Sequence, residues 1–193
     1  MTTTSRHAAH LEQVEAPGHM LTKAAARALA VLRISVGFVF LWAFLDKLFG
    51  FGYSTPSERA WINGGSPTNG FLSNVEVGPL QGFYHSIAGD TWADWGFMLG
   101  MLGMGLALIL GIGLRIAAGA ATLMMAMMWA AEWPLAQQTS AGEPSGSTNP
   151  IVDYHVVYAL SAIVAALTYA GHTWGLGRRW VNLSFVQKHR WLI

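Results

Sequence analysis

The sequence predicts an all-α integral membrane protein: a four-helix bundle with an ordered extracytoplasmic loop that contains short helices. Three observations lead to this fold class. Hydrophobic residues form 53% of the 193 residues and charged residues only 11%, whereas about 25% is usual for charged residues in soluble domains. Four apolar stretches approach the ~20 residues that a helix needs to cross a bilayer. A tight glycine turn joins the second stretch to the third.

The four predicted spans cover about residues 28–49, 92–110, 116–133 and 152–170. The turn "LGIGLR" is so short that spans two and three must form an antiparallel hairpin. The first span is too long for the apolar part of a signal peptide and no cleavage site follows it, so we expect it to be retained. The chain then divides into a polar tail (1–26), a membrane domain (27–174) and a basic, aromatic tail (175–193).

Lysine and arginine predict the orientation, because cytoplasmic loops carry an excess of both. They concentrate before span one, in the turn between spans two and three, and after span four. We therefore expect a multi-pass protein of the plasma membrane with both termini in the cytoplasm. The basic, aromatic tail suits the anionic surface of the inner leaflet.

The long outer loop, about residues 50–91, has its own helix signals. Thr55 to Glu58 ("TPSE") matches a capping box, and the helix that it starts should stop near Asn63 to Gly65 ("NGG"). A Ser-Pro pair at Ser66 begins a second segment, and "GPLQGFYHSIAG" suits a third. The aromatic residues of the loop favour an ordered lid over a floppy hydrophilic connection.

Composition excludes several chemistries. The chain has no cysteine, which removes disulfides, iron–sulfur clusters and cysteine-ligated zinc. The net charge of +1 gives no field that would draw nucleic acid. Only one histidine, His155, lies at the outer level of a span, so paired histidine ligands for haem are not expected. We find no sequence indication of haem, flavin or a metal ion.

Ionisable residues occur at the predicted outer end of every span. Membrane helices often end in polar residues, so each is open to interpretation as an ordinary interfacial residue, Asp94 above all. Taken together, the others favour a convergent site in which Lys47 is paired with carboxylates, since ionisable groups at such depth face the bundle interior and pair. The candidates for this outer cluster are Asp46, Lys47, Glu132, Asp153 and His155.

Three further features lie within the spans. Arg33 falls one and a half turns inside span one, either as an arginine that reaches back to the headgroups or as an inward-facing anchor. The glycines of span two allow close helix contact. The methionines of span three more often fill a core than line a cofactor site.

Several stretches resemble the DoxX/DoxD-like family of membrane proteins: "FVFLWAFLDKLFGFGYSTPSERAWINGGSPTNGFL", "MLGMGLALILGIGLRIAA", "NPIVDYHVVYAL" and "AGHTWGLGRRW". The resemblance covers about residues 27–180. It implies a four-span bundle, and the DoxD branch is associated with the membrane subunit of thiosulfate:quinone oxidoreductase. Other members are described as membrane partners of redox proteins. No catalytic residues are carried over from the family.

These observations predict a membrane-embedded subunit of a redox system that interacts with the quinone pool and has a second protein subunit as partner. His155 would exchange protons with the quinone headgroup, Lys47 would stabilise its reduced form, and Asp46 would orient Lys47. The predicted quinone slot is Trp42, Trp129 and Tyr158. The outer face is acidic and would repel thiosulfate.

The alternative is a non-enzymatic membrane scaffold that docks a redox partner through the outer loop. A proton or solute conductor ranks last, because spans two and three have no polar residue at mid-depth.

Overall fold

The computed structural model describes residues 22–193, which contain helices and no β-strand. The first 21 residues, most of the predicted N-terminal tail, lie outside the described part. Single 3-10 turns cover Ser57–Arg59, Trp61–Asn63, Ala170–His172 and Arg190–Leu192. In chain order, the α-helices are α1 (Lys23–Phe49), α2 (Asn69–Leu72), α3 (Gln81–Ile87), α4 (Thr91–Leu110), α5 (Leu114–Glu132), α6 (Tyr154–Leu167), α7 (Gly177–Trp180) and α8 (Ser184–Lys188).

The long helices α1, α4, α5 and α6 pack as a closed ring. Helix α1 contacts α4 and α6, and α5 contacts the same two helices from the other side. The main core lies between them, and its buried residues include Val36, Phe40, Met104, Leu108, Ala121, Met125 and Ala162. Large apolar side chains also cover the outside of the ring, among them Phe38, Leu99, Leu123 and Leu160. An apolar exterior around an apolar core confirms the predicted helical membrane bundle.

Helices α1, α4 and α5 are long and apolar enough to cross a membrane, but α6 is shorter than the predicted fourth span. Its 14 residues rise about 21 Å, less than the ~30 Å of a hydrocarbon core. The Asp153 carboxylate caps the start by accepting from the backbone N–H groups of His155 and Val156, and Tyr169 turns the chain with φ 51° after the helix. The helix is therefore two residues shorter at its start and three residues shorter at its end than the predicted span of about 152–170.

The connection between α1 and α4 is ordered, as predicted, but its first segment differs. Thr55 makes no cap: the segment forms two consecutive 3-10 turns broken at Ala60, and neither has a side-chain cap. The turns end at Gly64, with φ 87°, where the glycine signal placed the stop. The Ser66 hydroxyl accepts from the N–H of Asn69 at 3.1 Å, but the helix itself begins at Asn69, after the Ser-Pro start that the sequence predicts.

Two buried aspartates fasten this connection to the bundle. Asp46, at the end of α1, accepts from the N–H groups of Tyr53 and Ser54 and from the Ser54 hydroxyl, at 3.2, 2.9 and 2.7 Å. Asp94, in the first turn of α4, accepts from the N–H and hydroxyl of Thr68 at 3.0 and 2.6 Å and from Ser66 at 2.9 Å. The interfacial interpretation of Asp94 was therefore wrong, because it is a buried anchor.

Arg33 holds the opposite end of the bundle together. It is completely buried, and within residues 22–193 its guanidinium donates only to backbone carbonyls. These are the carbonyls of Leu108 and Ile109 near the end of α4 and of Ala170, Thr173 and Trp174 after α6. Of the two interpretations of Arg33, the structure supports the inward-facing anchor.

Two glycines let the chain approach closely beside Arg33. A Cβ atom on Gly171 would lie 2.2 Å from the carbonyl oxygen of Gly111, so neither position has room for a larger residue. The C-terminal segment folds against this end: Val186 and Leu192 are buried, and the Trp180 indole donates to the Leu192 carbonyl at 3.2 Å. We call this the tail end of the bundle and the opposite end, which carries residues 50–90, the loop end.

Candidate functional site

Two large cavities lie side by side at the loop end. The first, of about 410 Å³, is bounded by α4, α5 and the ordered connection, and we call it the apolar cavity. The second, of about 370 Å³, lies between the α2 region, the end of α5 and residues 134–149, and we call it the polar cavity. Phe71 and Ala131 line both cavities, so they form the partition between them.

The apolar cavity is lined by methionine and aromatic side chains. Met124, Met127 and Met128 of α5 face Phe97 of α4 across it, and the short helices α2 and α3 cover one side. Leu123 and Trp92, at its margin, are 65% and 63% exposed. Both side chains lie on the apolar exterior of the helix ring.

Glycines of α4 create this space. A Cβ atom on Gly96 would meet nothing within 4 Å, and one on Gly100 would meet only the terminal methyl group of Met124, at 2.6 Å. A Cβ atom on Gly105, in contrast, would lie only 2.8 Å from the backbone nitrogen of Leu41. The expectation that the glycines of span two serve close packing therefore holds for Gly105, whereas Gly96 and Gly100 line a cavity.

Among the described residues, Lys47 is the only charged residue that lines the apolar cavity. Its ammonium lies 6.0 Å from the centroid of the Phe97 ring, near the outer limit of a cation–π contact. Within residues 22–193 it forms no ion pair. The predicted pairing of Lys47 with ring carboxylates was therefore wrong, because Asp46 is fully used by Tyr53 and Ser54 and does not orient it.

Tyr84, in α3, closes the covered side of the apolar cavity. It is buried, and its hydroxyl donates to the Met127 carbonyl at 2.7 Å. Burial raises the pKa of Tyr84 above its ordinary value, so the hydroxyl keeps its proton and this hydrogen bond across the physiological range. The bond ties the ordered connection to α5.

The remaining predicted residues gather beside the polar cavity. His155 is completely buried at the start of α6, and its Nδ1 lies 2.8 Å from Oδ2 of Asp153. Its Nε2 lies 4.0 Å from Oε1 of Glu132. The Tyr154 hydroxyl donates to the same Glu132 oxygen at 2.6 Å. The structure thus brings together Glu132, Asp153 and His155 as expected, but apart from Asp46 and Lys47.

The predicted quinone slot is not one place in the structure. Trp42 stacks on Phe51 along α1, with ring centroids 5.7 Å apart. Trp129 donates to the Ile151 carbonyl at 3.0 Å, and Tyr158 packs into the main core. None of the three lines the apolar or the polar cavity, because each lies on a different helix at a different rotational phase.

Comparison with known proteins bears on the same region. A family model described as DoxX matches residues 28–133, more than half of the chain. The chain belongs to the DoxX family. No curated protein and no solved structure matches it. The match contains most of α1, the ordered connection, α4 and α5. Every residue that lines the apolar cavity therefore lies within the DoxX region, whereas Asp153 and His155 follow it.

Sequence reasoning missed the apolar cavity. The methionines of α5 were assigned to core packing, Tyr84 was counted only among the aromatic residues that favour an ordered loop, and Phe97 was not considered. A signal was present: Leu123, Met124, Met127 and Met128 follow one helical stripe, and the four-residue spacing of Gly96 and Gly100 places both on one face of α4. A stripe of large residues that faces a stripe of glycines leaves empty volume between two helices.

Proposed function

We propose that this DoxX-family protein is the membrane-embedded subunit of a redox system and that it binds a quinone of the membrane pool in the apolar cavity. A partner protein would supply the electrons. Thiosulfate:quinone oxidoreductase is one example of that class. The observation that carries the proposal is a cavity of about 410 Å³ with an apolar lining and a single cation, Lys47.

The size and lining of the cavity suit a quinone ring. Sites for small molecules typically measure about 300–1,000 Å³ and combine apolar walls with few polar groups. Met124 and Met127 offer polarizable thioethers that pack against flat rings, and Phe97 offers an aromatic face. The margin at Leu123 is exposed on the apolar exterior, so an isoprenoid tail can extend into lipid while the ring stays inside.

Lys47 is suited to the quinone headgroup. Reduction of a quinone to a quinol takes up two electrons and two protons, and negative charge develops on the carbonyl oxygens as the electrons arrive. An ammonium that donates a hydrogen bond to one of these oxygens stabilises that charge. Since Lys47 has no ion pair within the described residues, its charge is available to a ligand. In this proposal Lys47 takes the headgroup role, and the proton exchange expected of His155 is not needed in the binding step.

Filling the cavity tests the proposal. The protein in lipid nanodiscs is equilibrated with a decyl-substituted benzoquinone, and bound quinone is extracted and quantified. Gly96→Leu places a side chain where a Cβ atom meets open space, and we expect quinone binding to weaken at least tenfold. Lys47→Met should weaken binding about tenfold, the equivalent of one charged hydrogen bond of ~1.5 kcal/mol.

Gly119→Leu is the matched control. A Cβ atom there also meets nothing within 4 Å, but Gly119 lies outside both cavities, so binding should equal that of the wild type. Equal binding by Gly96→Leu and the wild type would exclude the apolar cavity as the quinone site. The scaffold alternative would then replace this proposal.

A further inference from the structure

One ring nitrogen of His155 is buried without a hydrogen-bond partner among the described residues. This nitrogen is Nε2, and Thr139 Oγ1, which lines the neighbouring polar cavity, is the other buried side-chain atom of this kind in the described part of the chain. An unpaired buried polar atom costs about 1–3 kcal/mol. Native proteins keep such an atom mainly where a ligand, an ion or a water completes it.

Asp153 determines which ring nitrogen of His155 carries the proton. Its Oδ2 lies 2.8 Å from Nδ1 of His155, and its Oδ1 accepts from the backbone N–H of the same residue at 3.0 Å. Because a carboxylate only accepts, the imidazole carries its proton on Nδ1, and Nε2 of the neutral ring presents a lone pair. A carboxylate behind a histidine in this way is the usual support of a metal-ligating imidazole.

Glu132 lies in front of the lone pair. Its Oε1 is 4.0 Å from Nε2, and the Tyr154 hydroxyl fixes that oxygen by donating to it at 2.6 Å. A tetrahedral ion with ~2.0–2.2 Å bonds would separate the two ligand atoms by about 3.4 Å. Glu132 therefore has to approach by about 0.6 Å, which the partly exposed side chain can do by small rotations.

We propose that Glu132 and His155 bind a divalent transition-metal ion such as Zn²⁺, with Asp153 orienting the imidazole. The ligand atoms of these three residues all lie within 4.8 Å of one another. Imidazole and carboxylate together suit zinc and its neighbours in the first transition row. The remaining coordination positions face the polar cavity, which Glu132 and Asp153 line, and take water or a small anionic ligand.

The sequence alone gave no indication of this metal ion. Two of the residues lie together at the start of α6 and the third at the end of α5, 21 positions before Asp153, so no short spacing motif appears. The site lies across Phe71 and Ala131 from the apolar cavity. It does not depend on quinone binding, and each proposal can fail without the other.

Metal titration of the purified full-length protein tests the proposal. His7, His10 and His19 carry competing imidazoles, so the three are first replaced by glutamine to give the background protein. After treatment with EDTA, Zn²⁺ is titrated against a chromophoric chelator and Co²⁺ is followed by its visible absorption. We expect one equivalent of tight binding and a cobalt spectrum of nitrogen and oxygen ligands.

Three variants localise the ion. His155→Gln and Glu132→Gln each remove a ligand and should weaken Zn²⁺ binding at least tenfold. Asp153→Asn keeps a residue that caps helices well but removes the carboxylate behind the imidazole, and it should weaken binding about 10–100-fold. Glu143→Gln is the matched control, because this exposed glutamate lies in the same part of the chain, and its affinity should equal that of the background protein.

Failure has a definite form. If the background protein binds no Zn²⁺, or if Glu132→Gln and His155→Gln bind it as tightly as Glu143→Gln does, the metal proposal is overturned. Glu132→Gln carries this decision if His155→Gln does not fold, because Glu132 lies partly exposed and its amide keeps an acceptor for Tyr154.

Discussion

Arg33 and His155 are both completely buried, at opposite ends of the same bundle, yet their surroundings differ. The guanidinium of Arg33 reaches five backbone carbonyls, and a close pair of glycines packs beside it. His155 has one ring nitrogen beside Asp153 and one without a hydrogen-bond partner among the described residues, and its neighbours Asp153 and Tyr154 line the polar cavity. The guanidinium of Arg33 has its hydrogen-bond partners within the fold, whereas Nε2 of His155 has none among the described residues.

This difference separates structural from functional ionisable residues. Burial of a charged or polar group is costly in either case, so burial alone does not identify a site. Asp46 and Asp94 follow the pattern of Arg33, because neighbouring donors surround both carboxylates. Lys47 follows the pattern of His155, since it faces a cavity without an ion pair among the described residues.

Removal of Arg33 should have the largest effect on stability. Arg33→Met leaves several buried carbonyls without donors, each at a cost of about 1–3 kcal/mol, so we expect a loss of at least ~3 kcal/mol and a clearly lower melting temperature in detergent. Arg33→Lys should rescue little, because an ammonium cannot reproduce the planar fork of donors. Arg115→Met, at an exposed site, is the control. A similar melting temperature for Arg33→Met and Arg115→Met would show that Arg33 is not a structural anchor of the bundle.

Asp94 should have the next largest effect. Asp94→Ala removes three hydrogen bonds to Ser66 and Thr68, and we expect a loss of about 2–3 kcal/mol together with faster proteolysis of residues 50–90. Asp90→Ala is matched to it, because the exposed side chain of Asp90 accepts a single hydrogen bond among the described residues, from the Trp92 indole. If the two variants are cleaved at the same rate, Asp94 does not fasten the connection.

A smaller, pH-dependent effect is expected at His172, near the tail end. Burial, with a contribution from Arg178, lowers the pKa of His172 below its ordinary value of 6.5. The folded state therefore favours the neutral ring, and its stabilising contribution is complete above pH ~6.5 and declines as pH falls below that value. The melting temperature should decrease between pH 7.5 and 5.5, and this decrease should be smaller in His172→Gln. An unchanged pH profile would contradict this assignment.

Glu132→Gln should affect stability least. The amide oxygen can still accept from Tyr154, and the residue is partly exposed, so the melting temperature of the metal-free protein should change by no more than that of Glu143→Gln. A loss of stability as large as that of Asp94→Ala would show that Glu132 is a structural residue like Arg33 and Asp94, and would contradict its assignment to a functional site.

Much of the fold could be predicted from sequence because hydrophobic length and helix punctuation are local signals. The bounds of α4 and α5 were close to those predicted, whereas the Ser-Pro signal at Ser66 lies just before its helix, which begins at Asn69. The capping box at Thr55 failed because a local pattern says nothing about tertiary competition. The Asp46 carboxylate accepts from the backbone N–H groups of Tyr53 and Ser54, the two residues just before Thr55. The chain after Thr55 then continues as 3-10 turns instead of an α-helix.

The site was harder to predict because helix phase and partner choice are not local. Glu132, Asp153 and His155 were grouped correctly by their level along the spans. Lys47 shared that level but faces α4, so it belongs to the other cavity. Trp42 and Trp129 were grouped by residue type alone, and they lie on helices that do not present them to a common space.

Photolabelling that locates a bound quinone tests most directly whether the apolar cavity is the quinone site. An azido-quinone that carries an isoprenoid tail is photolysed with the protein in nanodiscs, and labelled peptides are identified by mass spectrometry. If quinone binds in the apolar cavity, we expect labels on α4 and α5 around Phe97, Met124 and Met127, which line it. We expect these labels to be lost in Gly96→Leu but not in Gly119→Leu. Labelling confined to the stretch from Glu132 to His155, or labelling that Gly96→Leu leaves unchanged, would show that the apolar cavity is not the quinone site.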